Sequence, residues 1–475
     1  MADLPYSAND QQIAVVGALS RFCLLPSTNE CVFILNGYAG TGKTSLTGAL
    51  VRTLERHKRH VVLMAPTGRA AKVFCANSGG HTAFTIHRKI YRHVPDAETG
   101  GYAEPAPADN KLRNAVFIVD EASMIGTADE HGGNLLDDLV TYVFAGENCR
   151  LIMMGDTAQL PPVGAERSPA MNPAVLRAMG LKVTVATLTE TARQAADSGI
   201  LLNATRLRKV MSAISRGLAG DTMPVPRLRT QGLDDVVLVE GPDLPDVLMS
   251  AYDNAPNGPA DTILITRSNR RATEYNAAIR SRVLYREEEI CAGDMLIVSK
   301  NYYFPKKIRG IDFIANGDIV AVEKVYGTEV YLGHRFADVR LAVPVPDNPE
   351  ESVSLDMKIL LDSLADPAAQ MSAQERSRFY YMLLSDDGPY ASLPAKARMW
   401  AVRNNEYWTA LNVKYAYAVT CHKAQGGQWQ NVFVDLAYIP DDALGLGLYR
   451  WLYTAVTRAK KTLFLIAPPP GLLAD

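Results

Sequence analysis

Gly37-Tyr38-Ala39-Gly40-Thr41-Gly42-Lys43-Thr44 is the stretch on which the reading of this chain turns. It fits the spacing G-x-x-x-x-G-K-[ST], a loop whose glycines let backbone N–H groups curl inward around phosphate oxygens. Cys31-Val32-Phe33-Ile34-Leu35, just before it, is a short apolar run and predicts a buried strand. Leu46, Leu50, Val51 and Leu54, just after it, recur at helical spacing, so a helix is expected to begin near Lys43. The N-terminus of that helix adds partial positive charge to the loop. Gly40, Thr41 and Gly42 are then the cradle of a nucleoside triphosphate. Lys43 is expected to reach its β- and γ-phosphates, and Thr44 to hold Mg²⁺.

Outward from this loop, 475 residues are more than one core serves, and roughly two to four domains are expected. Apolar residues are 48% and charged residues 21%, the balance of a soluble globular protein. No apolar run reaches the ~18 residues of a membrane span. The opening MADLPYSAND has neither a basic stretch nor an apolar one, so no secretory signal is expected. Cys23, Cys31, Cys75, Cys149, Cys291 and Cys421 are scattered and form no metal-ligand spacing, which points to reduced thiols in the cytoplasm. The net charge of −2 weighs against a nucleic-acid binder, although a locally basic groove can exist on a neutral protein.

Along the chain, a helix is expected from Ala8 to about Leu25, then the first α/β unit from Cys31 to about His57. Strands are expected at Val61–Ala65, Ala115–Val119 and Leu151–Met154. Strands alternating with helices imply a parallel sheet, with ligands at the strand C-termini. Residues 94–110, rich in Pro, Gly, Asp and Ala, read as an exposed hairpin or loop inserted into this domain. A second α/β set follows, with a strand at Val183–Leu188, a helix at Ile200–Ile214 and a strand at Thr262–Thr266. Short β-like pieces between glycines from about Val283 to Gly333 predict a small antiparallel barrel. Two helices are expected around Met357–Leu364 and Ala373–Leu384, before the α/β pattern returns at Tyr415–Thr420, Val432–Leu436 and Thr462–Ile466.

Several residues carry chemistry on this frame. Asp120-Glu121 ends a buried strand, where one carboxylate can accept a bond from metal-bound water and the other can deprotonate an attacking water. A helix cap is the alternative use of Asp120. Gln159, in Gly155-Asp156-Thr157-Ala158-Gln159-Leu160-Pro161-Pro162, has an amide that can sense a γ-phosphate. Arg193 and Arg458 can meet charge on a transferred phosphoryl group, or else pair at the surface. Between residues 299 and 309, Lys300, Lys306, Lys307 and Arg309 alternate with Tyr302, Tyr303 and Phe304. They read either as a surface that binds a single strand by phosphate contact and stacking, or as a barrel hairpin with core aromatics.

GYAGTGKT, APTGRAAKV at 65–73, TIHR at 85–88, DEASM at 120–124, GDTAQLPPVG at 155–164, TCHKAQGGQW at 420–429 and LYTAVTRAKK at 452–461 occur in one order. This series resembles the superfamily 1 helicases, and most closely the RecD/Dda-like branch, over Asp10 to Ile466. The resemblance implies two RecA-like parallel-sheet domains with an inserted SH3-like barrel and a small pin. Residues 1–180 would form the first domain, with the pin subdomain at about 84–112. Residues 181–282 and 412–475 would form the second, and 283–411 an insertion holding the barrel (about 290–335) and a helical extension. It implies that Gln11 reads the adenine edge, with Gln12 competing for the role. It further implies that Lys43 and Thr44 bind phosphate and Mg²⁺, that Asp120 holds the metal through water and that Glu121 is the general base. Gln159, Arg193 and Arg458 would contact the γ-phosphate. Pro66, Thr67, His87, Thr420 and His422 would line a single-strand track, and Tyr91 or Tyr102 would be the wedge of the pin. The activity implied is ATP-dependent unwinding of DNA by a monomer moving 5′ to 3′ on a single strand towards single/double-strand junctions, in the cytoplasm or wherever DNA is replicated. A translocase that strips bound proteins without unwinding, and a nucleotide-gated DNA-binding protein, are the rival functions.

Overall fold

A computed structural model describes residues 8–24, 30–92, 106–127, 133–190, 198–217, 224–308, 311–345, 348–365, 371–440 and 443–474. The chain divides into two compact units, one of Met1–Tyr91, Pro107–Leu244 and Ala424–Asp475, the other of Arg92–Ala106 and Pro245–Lys423. Among the described residues no helix is long and apolar enough to cross a membrane.

The first unit is built on a parallel six-stranded sheet. Its strands are β1 (Cys31–Gly37), β2 (His60–Ala65), β3 (Ala83–Thr85), β4 (Ala115–Val119), β5 (Arg150–Gly155) and β6 (Lys182–Leu188), in the order β3-β2-β4-β5-β1-β6. β1 is apolar throughout because both of its faces are covered, as in other parallel sheets. Val32 and Ile34 pack with Leu136, Leu139 and Val143 on one face. Phe33 and Leu35 pack on the other with Val15 and Leu19 of α1 (Asp10–Leu24) and with Leu46, Val51 and Leu54 of α2 (Lys43–Arg56).

β6 was expected to open the second α/β set. It instead pairs with β1 along its whole length, from Cys31↔Lys182 to Gly37↔Leu188. Without it, one edge of β1 would carry a row of unpaired backbone groups beside the phosphate loop. In the same unit, Val236–Val239, Ala459–Ile466 and Trp429–Asp435 pair successively in parallel.

The second unit holds the parallel pair Thr262–Thr266 and Ala418–Thr420 and a closed five-stranded barrel. The barrel strands are Met295–Val298, Ile319–Tyr331, His334–Val345, Asn348–Leu360 and Leu411–Tyr415, so it reaches well past the expected 290–335. Two of them are joined by a tight hairpin whose central residues, Leu332 and Gly333, have φ of 49° and 83°, the backbone signs of a type I′ turn. The helix expected at Met357–Leu364 is a strand as far as Leu360, followed by the short helix Asp362–Ala365. Val353, Leu355, Met357 and Ile359 alternate inward with period two, and Leu355↔Leu341 and Met357↔Val339 lock the register. Ala373–Leu384 is helical as expected, with a capping box between Ser372 and Glu375. Tyr302 and Phe304 meet edge to face at 5.2 Å and pack on the barrel core, in line with the second reading of that stretch. The side chains of Tyr303, Lys306, Lys307 and Arg309 lie outside the described residues.

One carboxylate ties this unit together. Asp294, fully buried, accepts from Arg280 Nε and Nη2 at 3.1 and 3.0 Å, from Arg286 Nη1 at 2.6 Å, from Tyr417 OH at 2.9 Å and from Cys291 N at 2.8 Å. Removing one member of such a network leaves charge buried without compensation. Asp294→Ala should therefore cost about 3–5 kcal/mol, read as a lowered unfolding midpoint in urea. Arg113→Ala, which breaks an ion pair with Glu147 whose side chains are 76% and 67% exposed, should stay within about 0.5 kcal/mol of the parent chain.

Candidate nucleotide site

The phosphate loop leaves the carboxyl end of β1, next to β5 in the sheet, and runs straight into α2. Gly40 and Gly42 adopt φ of 73° and 80°, a left-handed conformation that costs residues with a Cβ. At Gly40 an added Cβ would also lie 3.0 Å from Leu201 Cδ2. Lys43 folds back so that its ammonium donates to the carbonyls of Gly37 and, at 3.2 Å, Tyr38. Thr41 Oγ1 donates to Tyr38 O at 2.8 Å, and Thr44 is exposed at the start of α2.

Gln12, not Gln11, is the buried glutamine beside the loop. Its Nε2 donates to Thr41 O at 3.0 Å, and its Oε1 accepts from Asn9 N at 3.1 Å. The amide of Gln11 faces the other way: Nε2 donates to Thr189 Oγ1 at 2.9 Å, and Oε1 accepts from the backbone N–H groups of Thr189 and Glu190.

Asp120 and Glu121 follow β4, whose neighbour in the sheet is β5. Asp120 Oδ1 accepts from Glu121 N at 2.9 Å, so the carboxylate is aimed by its own chain. Glu121 has φ 51°, a strained conformation for a non-glycine residue of the kind that clusters at functional sites. It precedes a 3₁₀ turn without capping it by its side chain. Burial, and then the neighbouring Asp120, push the Glu121 carboxyl up to about 7, while Arg458 and Lys43 pull it back. Burial also raises Asp120, opposed by its bond from Glu121 N–H and by Lys43. A carboxylate poised near neutrality beside two cations suits a general base.

Past β5, Asp156 is fully buried; its Oδ1 accepts from Ala158 N at 2.9 Å and its Oδ2 from Tyr453 OH at 2.6 Å. Gln159 is buried, and its Oε1 has no hydrogen-bond partner among the described residues, an orphan acceptor in the wall of this site. Arg458 closes the same wall from just beyond the helix Leu446–Val456. It is buried, and its guanidinium donates to Thr454 O at 3.0 Å, Gly427 O at 3.2 Å and Thr457 Oγ1 at 3.1 Å. Its positive charge is one of the two that lower the Glu121 carboxyl. Arg193 lies outside the described residues.

The first unit thus brings together Lys43, Asp120, Glu121, Gln159 and Arg458. It adds residues that sequence reasoning did not single out: Asp156 and Tyr453, and also Arg208, whose guanidinium lies 4.2 Å from the Tyr38 ring centroid. Asp156 and Tyr453 both stood inside the ordered motif series, which was the only local signal for them.

The residues expected on a strand track are less concentrated. Thr67 caps the helix α3 (Gly68–Asn77) through a bond from Ala70 N at 3.2 Å, with Pro66 half-buried before it. His87 lies 5.7 Å from the Tyr91 ring. Tyr91 OH donates to Asp138 Oδ2 at 2.5 Å, which ties this candidate wedge to its own unit. Residues 93–105, with Tyr102 and most of the expected pin, lie outside the described residues. In the other unit, Thr420 ends a strand and His422 is exposed on the short helix that follows.

Residues 8–223 match the family model of an AAA domain, and residues 415–466 that of a UvrD-like helicase C-terminal domain. The ATP-dependent RecD2 DNA helicase of Deinococcus radiodurans is 36% identical over 168 residues, which are 35% of this chain and 20% of that protein. The ATP-dependent DNA helicase dda of Enterobacteria phage T4 is 23% identical over 454 residues, 91% of this chain and 93% of the relative. The chain therefore spans a fifth of the length of the first relative and nearly all of the second. A solved structure of two coordinating Pif1 helicases at forked duplex DNA shares the fold, with a TM-score of 0.50 and 15% identity over 99% of this chain and 95% of that one.

Because Gly40 has φ 73° and an added Cβ would lie 3.0 Å from Leu201 Cδ2, closer than ordinary van der Waals contact, Gly40→Ala should weaken nucleotide binding. The strain of about 1–2 kcal/mol translates into roughly 5- to 30-fold in Kd, measured by titration with a fluorescent ATP analogue.

Proposed function

We propose that the chain is an ATP-driven DNA helicase of superfamily 1, in keeping with its AAA and UvrD-like helicase matches and its likeness to RecD2 and dda. The observation that carries the proposal is the convergence of Lys43, Asp120, Glu121, Gln159 and Arg458 at the carboxyl ends of β1, β4 and β5. A protein that only sensed nucleotide would have little use for a base and an arginine at that point.

The residues fit ATP with Mg²⁺. Thr44 offers a hydroxyl and Asp120 a carboxylate, the hard oxygen donors that Mg²⁺ takes beside phosphate oxygens. When bound, the metal supplies charge neutralisation on the β- and γ-phosphates. Lys43 would exchange its loop carbonyls for phosphate oxygens, and the loop N–H groups would hold the same phosphates. Glu121 would take the proton of the attacking water. Gln159 Oε1, the unpaired acceptor, would accept from that water and so orient it, while the amide N–H groups of the same side chain could donate to the γ-phosphate. Arg458, together with Arg193, would meet the charge that develops on the transferred group. Gln11 is the candidate for the base edge, reached by giving up its bonds to Thr189 and Glu190. Gln12 serves the loop itself.

Pro66, Thr67 and His87 of the first unit and, separately, Thr420 and His422 of the second are the candidate contacts for single-stranded DNA, with the insertion at about 84–112 as the pin. Movement would be 5′ to 3′, and a monomer would suffice if one chain supplies both halves of the ATP site.

Partial duplexes with either a 5′ or a 3′ tail test this reading. With ATP and Mg²⁺, strand separation is expected from the 5′-tailed substrate only. Separation from the 3′ tail alone would overturn the direction, and DNA-stimulated turnover without separation would favour the translocase that strips proteins. Lys43→Ala should abolish ATP turnover. Glu121→Gln should keep ATP binding and lose at least ~100-fold in kcat; wild-type turnover in that variant would remove Glu121 as the base.

A further inference from the structure

Tyr453 is required by no step of hydrolysis, but it stands where three parts of the site meet. It is fully buried on the helix Leu446–Val456, which leads into Arg458. Its hydroxyl accepts from Ala39 N, at the apex of the phosphate loop, at 3.0 Å, and donates to Asp156 Oδ2 at 2.6 Å. The second bond is short and charge-assisted. Burial, and then the Asp156 charge, push the phenol well above its ordinary value, so the hydroxyl keeps its proton. That proton goes to Asp156, and a lone pair is left for Ala39.

The next residue of the helix grips the far end of the same loop. Thr454 Oγ1 accepts from Leu160 N at 2.8 Å, and Leu160 O accepts from Gln425 Nε2 at 3.0 Å. The loop 156–160, which carries Gln159, is therefore held at both ends by consecutive side chains of one helix. A displacement of Ala39 must either break its bond to the phenol or carry the phenol with it. Asp156 is fixed to that phenol by the shorter bond.

We propose that Tyr453 is a positioning residue whose hydroxyl couples the state of the phosphate loop to the Asp156–Leu160 loop and its Gln159. The inference rests on the ATP-driven reading above. The helix supplies its own control: Tyr449, one turn earlier, is also fully buried, but its hydroxyl has no hydrogen-bond partner among the described residues. Replacing either tyrosine by phenylalanine keeps the ring and its packing. Only at Tyr453 does it remove two bonds and leave a buried carboxylate oxygen unpaired.

The test is backbone hydrogen exchange in peptides covering residues 156–160, with and without a non-hydrolysable ATP analogue and Mg²⁺. In the parent chain and in Tyr449→Phe the analogue is expected to change exchange in this segment. In Tyr453→Phe the analogue should still bind, within ~3-fold of the parent affinity, with the response in 156–160 lost; DNA-stimulated kcat should fall at least ~10-fold. Retention of the response in Tyr453→Phe, its equal loss in Tyr449→Phe, or its absence in the parent chain would each overturn the proposal. A parent chain without DNA-stimulated turnover would instead sink the functional reading, and the exchange comparison would still decide the role of Tyr453.

Discussion

Parallel pairing of β1 between β5 and β6 is the constraint on which the nucleotide site depends. A strand buried on both faces cannot tilt or slip without exposing one of its two cores. Its register against β5 sets Asn36 opposite Gly155. Asn36 Oδ1 then accepts from Thr157 N and Oγ1, both at 3.2 Å, so the loop beyond β5 is anchored to the last turn of the strand that launches the phosphate loop. β4, on the other side of β5, delivers Asp120 and Glu121. Three chemical groups are placed by one sheet, with no long loop needed to reach them.

The site that results is strained and electrostatically crowded. Asp120 and Asp156 both raise the Glu121 carboxyl, and two cations, Lys43 and Arg458, lower it. Glu121 is held in a left-handed backbone conformation on top of this. Such features cost stability locally and persist because the surrounding sheet over-determines them. Here the surroundings include the helix Leu446–Val456, with Tyr453 and Thr454, and Arg458 just beyond it.

The second unit solves a different problem by a related device. A barrel inserted between two α/β segments must be fixed to them. Asp294, fully buried, accepts from two arginines, a tyrosine and a backbone amide. Tyr417 also accepts from Met295 N at 3.1 Å, where the first barrel strand begins. Apolar packing alone would tolerate small rotations at such a junction. Directional bonds to a buried charge do not.

The sequence by itself determined the phosphate loop, its flanking strand and helix, the parallel sheet and the carboxylates at the strand ends. These are local: a period of two or 3.6, a glycine where φ must be positive, an acid where an apolar run stops. It also carried the motif order on which the resemblance to superfamily 1 helicases rests. What only the tertiary structure decided concerns partners far apart along the chain. β6 looked like the start of a new domain because nothing local says which edge a strand will pair with. Residues 357–360 looked helical because an isolated apolar run fits either period until a neighbouring strand supplies the register. Gln12 is the glutamine buried against the phosphate loop, which two adjacent glutamines do not reveal. The hydroxyl of Tyr453 lies 414 residues from its donor at Ala39 and 297 from its acceptor at Asp156. Periodicity reports which face of an element is buried, and only folding decides which group that face meets.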